Sequence, residues 1–311
     1  MSKIIATGSY LPDKVVTNTD LIEKNNLDSS DEWIFQRTGI KKRHFASEKE
    51  TVSDLAVKAV KNLLNKYDKN IRQNIKLIIV ATMSSHSPTP SVASQVQKAL
   101  GIKESWAFDI NGACSGFVMA VELAEKISRH QSEGYSLVIG AEKMSNILDF
   151  TDRSSSILFG DGAGAVLISN DGKALTGYQS NLQSIPDSQN SIHFGVNELL
   201  SMEGRSVFDF VLRQVIPSAT NFILKQENYF DYLISHQANY RFIELIAKKL
   251  EVSLDKIPTN IADVANTSAA SIPILLNEWV VNKKIYLDGS QKIILIAYGG
   301  GLAWGQISLM L

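Results

Sequence analysis

One cysteine carries the most reactive side chain in this sequence. Cys114 is the chain's single cysteine, and it follows an apolar strand pattern that ends near Asn111. An apolar helical pattern begins directly after it. A thiol at a helix N-terminus is expected to have a lowered pKa, because aligned N–H dipoles favour the thiolate. Gly112, Ala113 and Gly116 leave room for a substrate beside the sulfur. The alternative is that Cys114 is a small buried hydrophobic residue.

Two further polar residues follow strand patterns in the second part of the chain. His236 stands at the end of the apolar run 230–235, where α/β proteins place functional residues. Asn266 follows the predicted strand 261–264 and opens a helical pattern of small residues, as Cys114 does. Each residue also has a purely structural alternative. His236 would be a histidine whose hydrogen bonds are satisfied within the protein, and Asn266 would cap a helix. Together the three turns predict one catalytic site.

Two glycine-rich segments have different expected roles. Gly299-Gly300-Gly301 follows the strand pattern 292–298, where glycines allow backbone N–H groups to approach a reacting carbonyl, as in an oxyanion hole. The alternative is a tight turn between two strands. Gly160-Asp161-Gly162-Ala163-Gly164-Ala165 has glycine spacing similar to a dinucleotide-binding loop. We expect no nucleotide there, because the run that follows predicts a strand rather than a helix.

The elements that must position these residues alternate along the chain. Short apolar runs rich in β-branched residues are separated by helical patterns, which indicates buried strands in a layered α/β protein. The predicted strands are 76–81, 107–111, 136–141, 165–169, 230–235, 261–264, 292–298 and 306–311. The predicted helices are 52–67, 91–100, 115–129, 205–226, 240–250 and 268–282.

The order of these elements repeats. Ala81 and Ser235 end equivalent strands, and Asp109 and Asp263 lie at matching places in the next strands. The repeat predicts a duplicated α/β unit whose seam is the turn Asn170-Asp171-Gly172.

The repeat divides the chain into an N-terminal half, residues 1–170, which holds the cysteine, and a C-terminal half, residues 171–311, which holds the histidine and the asparagine. The 31 Lys and Arg residues balance 32 Asp and Glu residues, which excludes a strongly basic nucleic-acid binder. One cysteine excludes an intramolecular disulfide and favours a reducing cytoplasm. The N-terminus has no secretory apolar segment, and the apolar run 293–304 is too short and glycine-rich to span a membrane.

The motifs in this sequence resemble the β-ketoacyl-[acyl carrier protein] synthase III family, the condensing enzymes that initiate type II fatty acid synthesis. The resemblance covers nearly the whole chain from Ile4 onward. It is carried by Gly8-Ser9-Tyr10-Leu11-Pro12, Asp31-Glu32-Trp33-Ile34, Arg37-Thr38-Gly39-Ile40, Ala113-Cys114-Ser115-Gly116-Phe117, Phe159-Gly160-Asp161-Gly162-Ala163-Gly164-Ala165, His236-Gln237-Ala238-Asn239, Asn266-Thr267-Ser268-Ala269-Ala270-Ser271 and Trp304-Gly305. It implies a thiolase-like five-layered αβαβα fold of two duplicated halves, in a homodimer.

The resemblance also implies a reaction. Cys114 would attack an acyl-CoA primer, and malonyl-acyl carrier protein would then lose CO₂. His236 and Asn266 would donate hydrogen bonds to the enolate oxygen. The carbanion would attack the acyl-cysteine while backbone N–H groups of Cys114 and Gly300 form the oxyanion hole. The product would be a 3-oxoacyl-[acyl carrier protein]. No metal and no cofactor is implied, since the CoA thioester is a substrate.

Matching positions imply the residues that bind CoA. Trp33 would stack on the adenine, and Arg37 and Arg153 would lie near the nucleotide end. Asn239 would contact the pantetheine arm. Without the resemblance, a tryptophan beside an arginine is also consistent with simple packing.

A second set of matching positions implies a site for the acidic carrier protein. Arg241, Lys248 and Lys249 lie on one helical stretch. The residues alone favour a solvated helix face. The resemblance favours a basic patch that binds the carrier protein.

The sequence departs from the family's usual residues in three places. Ala265 stands where glycine is usual, and its methyl group could shift the loop of Asn266. Asn111-Gly112 is not the commonest pair before the cysteine. Thr89 stands where many relatives have a bulky aromatic residue that limits the acyl pocket. We therefore expect a branched or longer primer than acetyl.

Two other functions remain open at this stage. A relative that serves a polyketide or quinolone pathway would use the same three residues with a different acceptor. A cysteine hydrolase would also use Cys, His and Asn, with the histidine as a general base. A non-enzymatic binding protein is disfavoured, because all three catalytic residue types are in place. We expect no nucleic-acid or membrane partner.

Overall fold

The computed structural model describes residues 2–65, 67, 69–85, 87–130, 133–195, 198–226 and 229–311. The strands of the first half are β1 (Lys3–Tyr10), β2 (Lys14–Thr17), β3 (Lys42–Phe45), β4 (Ile75–Ala81), β5 (Trp106–Ile110), β6 (Gly134–Glu142) and β7 (Gly162–Asn170). Its helices are α1 (Asn18–Asn25), α2 (Asp31–Thr38), α3 (Val52–Leu64), α4 (Lys69–Gln73), α5 (Val92–Leu100), α6 (Gly116–Ser128) and α7 (Arg153–Ser156).

The second half of the chain has its own set of strands and helices. Its strands are β8 (Gln179–Ser184), β9 (Ile192–His193), β10 (Ser201–Met202), β11 (Tyr232–Ser235), β12 (Lys292–Gly299) and β13 (Ala303–Met310). Its helices are α8 (Gly204–Phe210), α9 (Ile216–Leu224), α10 (Tyr240–Leu250), α11 (Ile261–Val264) and α12 (Ser271–Val281).

The two main sheets repeat one topology. The first has the strand order β1-β7-β6-β4-β5, and the second has β8-β13-β12-β11. In the first sheet β7 is antiparallel to β1 and β6, and β4 is parallel to β6 and β5. In the second sheet β13 is antiparallel to β8 and β12, and β12 is parallel to β11. The shared order and directions of four strands confirm the predicted duplication.

The sheets and helices stack in five layers because the central strands are apolar on both faces. Helices α6 and α12 lie between the sheets, where Phe117 and Leu275 share one core with Val138 of β6 and Leu295 of β12. Helices α3 and α5 cover the outer face of the first sheet, and α9 and α10 cover that of the second. Burial of each such side chain contributes about 1.5–3 kcal/mol. The predicted αβαβα fold is confirmed.

The strand predicted over 261–264 is wrong. This segment forms one turn of α-helix, α11, in which the N–H of Val264 donates to the carbonyl of Asn260 at 3.0 Å. A four-residue apolar run does not distinguish a strand from a buried helical turn, and the helical hydrogen bonds decide the outcome here. Asp263 is therefore not in a strand equivalent to that of Asp109. The second sheet has no counterpart of β5 among the described residues.

Several predicted boundaries also differ from the structure. Helix α3 begins at a capping box formed by Thr51 and Asp54, but it ends at Leu64 rather than at 67. The helical pattern 205–226 is divided into α8, the π-helical segment Val211–Val215 and α9. In the described parts of the chain, no helix is both long enough and apolar enough to cross a membrane.

Candidate active site

Cys114 lies in a tight turn between β5 and α6. The turn is the 3₁₀ segment Ala113–Ser115, and Ala113 has a left-handed φ of 45°. Such a conformation costs free energy in a non-glycine residue and recurs at active sites. The hydroxyl of Ser115 donates to the carbonyl of Ala303 at 2.8 Å, which ties the turn to β13. The nucleophile candidate is therefore held by both sheets.

Burial controls the protonation state of this thiol. It raises the pKa of Cys114 to about 12, although the Ser268 hydroxyl and the backbone N–H of Cys114 itself act in the opposite direction. The lowered pKa predicted from the helix N-terminus is wrong for the free protein. Loss of water disfavours the thiolate more than the partial charge at the helix end favours it. The thiol is neutral at pH 7 and must lose a proton to react.

His236 follows β11 and is buried. Its Nδ1 lies 2.7 Å from the hydroxyl oxygen of Ser271, and that oxygen also accepts the backbone N–H of Gln237 at 3.5 Å. We therefore assign the hydroxyl proton to the bond with Nδ1, which leaves the ring proton on Nε2. Burial lowers the pKa of His236 to about 3, so the imidazole is neutral at pH 7.

Asn266 is held from two sides. Its backbone carbonyl accepts the N–H of Gly160 and its own N–H donates to the carbonyl of Leu158, both at 3.0 Å. Its side-chain Oδ1 accepts the N–H of Ser268 at 2.8 Å. Since Oδ1 is engaged, the Nδ2 group is the part of the amide that remains to donate to a substrate.

The backbone of Ala265, the residue before Asn266, is strained. Its φ of 61° and ψ of −165° lie in a region that glycine adopts and other residues avoid. The methyl group is buried beside Ile40 and Ile261. Asn266 still lines the cavity described next, so the structure accommodates the departure from the family's usual glycine.

Cys114, His236 and Asn266 line one cavity of about 300 Å³. Most of its remaining wall is apolar and includes Met83, Met144, Leu158, Phe159, Ile192, Leu200 and Met202. Three polar or charged residues from the predicted binding sets also line it: Arg37, Asn239 and Arg241. An apolar chamber with three converging polar side chains is typical of a site for a small apolar group that reacts at one end.

The duplication explains why the side chains converge. The 3₁₀ turn Ser268–Ala270 precedes α12 as the turn of Cys114 precedes α6. Ser268, the first residue of its turn, has a φ of 48° and repeats the left-handed conformation of Ala113. A Cβ at Gly116 would lie 3.6 Å from the Cβ of Ala269, so the two turns are in contact.

The glycines at the end of β12 lie beside the cysteine turn. A Cβ at Gly299 would stand 2.8 Å from the Cβ of Cys114 and 3.0 Å from its backbone nitrogen. Only glycine allows this approach without a shift of the nucleophile. A Cβ at Gly300 would lie 3.5 Å from that of Ala113, and Gly300 lines the cavity. The backbone of Gly300 therefore lies beside the turn of Cys114.

Glu142 is a buried acidic residue beside the site that the sequence prediction missed. Its carboxylate accepts hydrogen bonds from Thr82, Met83, Ser84 and Ser268. Burial raises the pKa of Glu142 to about 7, against the effect of these donors. The sequence did contain a signal for this residue. Glu142 ends an apolar strand pattern, as the residue before His236 does, and functional residues of α/β proteins collect at such strand ends.

The three residues predicted for the nucleotide end of CoA lie together on the surface. The guanidinium groups of Arg37 and Arg153 stand 5.4 and 4.7 Å from the ring centre of Trp33. Arg153 also donates to the carbonyl of Asp28. Asn239 caps α10 by accepting the N–H of Arg241 at 2.9 Å, and its Nδ2 donates to the carbonyl of Arg37 at 3.2 Å. This bond joins Asn239, the residue predicted to contact the pantetheine arm, to Arg37, one of the residues predicted to lie near the nucleotide.

The three basic residues predicted to bind a carrier protein all lie on α10 and are exposed. Arg241 is in the first turn and lines the cavity, and Lys248 and Lys249 are in the last turn. None of the three has an ion-pair partner within the described ranges of the chain. The helix thus presents unpaired positive charge from the cavity outward.

Thr89 is not brought to the cavity of its own chain. It is exposed in the segment before α5. The carboxylate of Asp109 on β5 accepts the N–H groups of Val92 and Ala93 at 2.7 and 2.8 Å. These bonds place the segment of Thr89 beside β5, the outermost strand of the first sheet.

The fold and the site define a class of protein. A five-layered duplicated fold with a cysteine, a histidine and an asparagine at the meeting point of its halves is that of a thiolase-like condensing enzyme, an acyltransferase. Comparison with known proteins is more specific. The family model of 3-oxoacyl-[acyl-carrier-protein (ACP)] synthase III matches residues 108–184, and the model of its C-terminal part matches residues 225–310. The chain belongs to this family.

Individual relatives agree along the whole length. A beta-ketoacyl-[acyl-carrier-protein] synthase III of Streptococcus gordonii is 44% identical, with 98% of each chain covered. The crystal structure of 3-oxoacyl-[acyl-carrier-protein] synthase III from Aquifex aeolicus VF5 superimposes with a TM-score of 0.92 at 38% identity, covering 100% of both chains. The priming beta-ketosynthase of the R1128 polyketide pathway has a TM-score of 0.91 at 28% identity, covering 100% of this chain and 96% of its own.

Proposed function

We propose that this chain condenses an acyl-CoA primer with malonyl-[acyl carrier protein] and releases CO₂, the reaction that initiates type II fatty acid synthesis. The observation that carries the proposal is the hydrogen bonding of two side chains in the cavity. Nδ1 of His236 and Oδ1 of Asn266 are both engaged within the protein. His236 therefore keeps Nε2–H, and Asn266 keeps its Nδ2 group, to donate hydrogen bonds to the substrate. Neither side chain keeps a free acceptor atom, and the condensation requires none.

The first half-reaction acylates Cys114. The sulfur forms a bond to the acyl carbon, the thioester bond to CoA breaks, and CoA leaves with the thiol proton. The apolar wall of the cavity receives the acyl chain, and burial of each methylene contributes about 0.8 kcal/mol.

The second half-reaction needs donors rather than a base. When malonyl-[acyl carrier protein] loses CO₂, negative charge develops on its thioester oxygen. Nε2–H of His236 and Nδ2–H of Asn266 stabilise that oxygen in a site with little water, and one such donor is worth about 3–4 kcal/mol. The resulting carbanion attacks the acyl-cysteine. The new oxyanion accepts backbone N–H groups of Cys114 and Gly300, and its collapse releases the 3-oxoacyl product.

The protonation of His236 argues against the hydrolase alternative. A hydrolase would need this imidazole to accept a proton from water or from the thiol. With its pKa lowered to about 3 and Nδ1 engaged, His236 is a poor base and a good neutral donor.

The relatives favour primary over secondary metabolism. The Streptococcus gordonii synthase III is 44% identical, whereas the polyketide priming enzyme is 28% identical, which lies within the 25–38% identity of solved synthase III structures. We therefore place this chain in fatty acid synthesis, with the secondary pathway as the second candidate.

CoA would bind where Trp33 meets Arg37 and Arg153. In the free protein Arg153 lies over the ring, so the adenine would enter between the two side chains. The pantetheine arm would pass Asn239 toward the sulfur. The site calls for no cofactor, because the thioester is itself the substrate.

The acidic carrier protein would dock on Arg241, Lys248 and Lys249. Seven residues of helix separate the first two by about 10 Å, on one side of α10. A carrier protein bound there would direct its pantetheine arm along Arg241 into the cavity.

A homodimer would complete the site. Strand β5 is an unpaired edge that carries an exposed Trp106 in contact with Phe108. Two copies paired through β5 would bury both aromatic residues and satisfy the strand edge. The segment of Thr89, which lies beside β5, would then reach the partner's acyl cavity. Its small side chain would leave room for a branched or longer primer. The free thiol of Cys114 fits the reducing cytoplasm as the compartment.

The test follows the mass of the intact protein after incubation with acetyl-, isobutyryl- and octanoyl-CoA. We expect one acyl adduct on the wild type, none on Cys114→Ala, and the fastest loading by a chain longer or more branched than acetyl. His236→Ala and Asn266→Ala should still be acylated but should lose condensation with malonyl-[acyl carrier protein]. Condensation at near wild-type rate by either variant would contradict the role of that residue. Release of free acid without malonyl substrate would support the hydrolase.

A further inference from the structure

The acylation step must move the thiol proton off Cys114 before CoA can leave with it. Burial keeps the thiol of Cys114 protonated, and His236, the one imidazole among the described residues that line the cavity, is a poor base. A thiol must lose its proton as it attacks, because the thiolate is the nucleophile. An acceptor connected to the sulfur is therefore required.

A chain of hydrogen-bonding groups leads from the sulfur to a buried carboxylate. The hydroxyl of Ser268 lies next to the thiol of Cys114 and favours its thiolate form. The same hydroxyl donates to Oε1 of Glu142 at 3.1 Å. The Ser268 hydroxyl donates its one proton to Glu142, and its oxygen keeps lone pairs that can accept the proton of the thiol. Ser268 and Glu142 are both fully buried, so water does not replace this connection.

The rest of the carboxylate is fixed. Oε2 of Glu142 accepts the hydroxyl of Ser84 at 2.5 Å and the hydroxyl of Thr82 at 3.1 Å. It also accepts the backbone N–H groups of Met83 and Ser84, each at 3.1 Å. The backbone N–H of Met83 also reaches Oε1, at 3.3 Å, and Ser268 supplies the one hydroxyl that is bonded to Oε1 among the described residues. A proton that arrives through Ser268 therefore has one destination.

We propose that Ser268 and Glu142 form a relay that removes the thiol proton of Cys114 when the cysteine is acylated. As the S–H bond breaks, that proton moves to the Ser268 oxygen, and the Ser268 proton moves to Oε1 of Glu142. The sulfur lone pair forms the new bond to the acyl carbon. The thioester bond to CoA breaks, and the departing CoA thiolate takes a proton, so that Glu142 returns to the carboxylate through the reverse transfer. Glu142 acts on the sulfur only through Ser268, and it is a positioning residue in this sense.

The proposal deepens the proposed function, since it states how the proposed nucleophile is activated. The titratable group that faces Glu142 is Cys114, from the turn before α6. Lys143, the next residue on the chain, turns away and donates to the carbonyls of Ser47 and Glu50. Asp161, at the start of the adjacent strand, has its carboxylate bound to Ser145 and Ala46.

The test measures alkylation of Cys114 by iodoacetamide as a function of pH, with intact-protein mass as the readout. Cys114 is the only cysteine, so each adduct is unambiguous. In this reaction the S–C bond forms, iodide leaves and the proton passes to Glu142. No acyl-CoA or carrier protein is involved, so failure of the relay is distinguishable from failure of the proposed function.

For the wild type we expect the rate to rise through a midpoint near pH 7 and then level off, because Glu142 accepts a proton only as a carboxylate. Glu142→Gln removes the acceptor, and Ser268→Ala breaks the relay while Glu142 keeps its other donors. Each variant should react about 10²-fold more slowly at pH 7. Their rates should continue to rise about tenfold per pH unit up to pH 9, as the thiol itself titrates.

The matched control is Ser145→Ala, which removes a hydroxyl that donates to the buried carboxylate of Asp161 at 2.6 Å. Its pH profile should equal that of the wild type. The circular dichroism spectra of all variants should match, and Ser268→Ala decides the question if Glu142→Gln does not fold. A wild-type profile in Ser268→Ala would overturn the relay. A uniform loss of rate in both variants with an unchanged midpoint would show a structural role and would also overturn it.

Discussion

Substitution of Gly299 by alanine should disturb the nucleophile more than the fold. The new methyl group would stand 2.8 Å from the Cβ of Cys114, 3.0 Å from its nitrogen and 3.3 Å from its Cα. To reach an ordinary contact of 3.4 Å, the turn of Cys114 must move by about 0.6 Å. The turn resists this movement because Ser115 is bonded to Ala303 and because Gly116 packs against Ala81.

The expected magnitudes follow from that displacement. Overpacking of this kind costs about 1–3 kcal/mol of unfolding free energy. A misplacement near 1 Å costs about 10²-fold in rate, so acylation of Cys114 should slow by about 10- to 10²-fold. Urea unfolding gives the first quantity, and the time course of the acyl adduct by mass spectrometry gives the second.

A glycine with open space provides the control. A Cβ at Gly204 meets nothing within 4 Å, and its backbone is in a helix. Gly204→Ala should therefore leave stability unchanged or raise it by about 0.5–1 kcal/mol. If Gly299→Ala is acylated within threefold of the wild-type rate and unfolds at the same urea concentration, the close approach of β12 does not position the sulfur, and the reasoning fails.

Three further predictions test other parts of the site. Trp33→Ala should raise KM for acyl-CoA about tenfold, through loss of base stacking, and should leave the rate with an acyl-pantetheine that lacks the nucleotide unchanged. Lys248→Glu combined with Lys249→Glu should lower kcat/KM for malonyl-[acyl carrier protein] about tenfold at low salt, with a smaller effect at 0.5 M salt and no effect on acylation. Because burial lowers the folded-state pKa of His236 to about 3, stability is lost as pH falls below 6.5, and by pH 4 the wild type should lose about 3 kcal/mol more than His236→Gln in urea unfolding.

The sequence was most informative where local pattern and burial agree. The runs that became β4, β6, β12 and β13 are apolar on both faces, so central strands could be predicted from composition alone. The same positional reasoning placed Cys114 and His236 at strand ends, because functional residues of layered α/β proteins collect there.

The remaining features depend on contacts that no local pattern contains. The segment 261–264 has the composition of a strand, but its backbone forms helical hydrogen bonds beside Ile40. The pKa of the Cys114 thiol is raised by the loss of water around it, which depends on how the two halves pack. The sequence shows only the helix N-terminus, which by itself would lower that pKa. Glu142 lies 126 positions before Ser268, and only the folded duplication brings their side chains together.

The outermost strand β5 determines what assembly through that strand would produce. The first sheet ends at β5, whereas the second sheet ends at β11, because the helical turn α11 lies where the repeat predicts a further strand. An edge strand that pairs with its own copy about a two-fold axis is used on both chains at once. In the proposed homodimer, assembly through β5 would therefore be finite and would close at two chains.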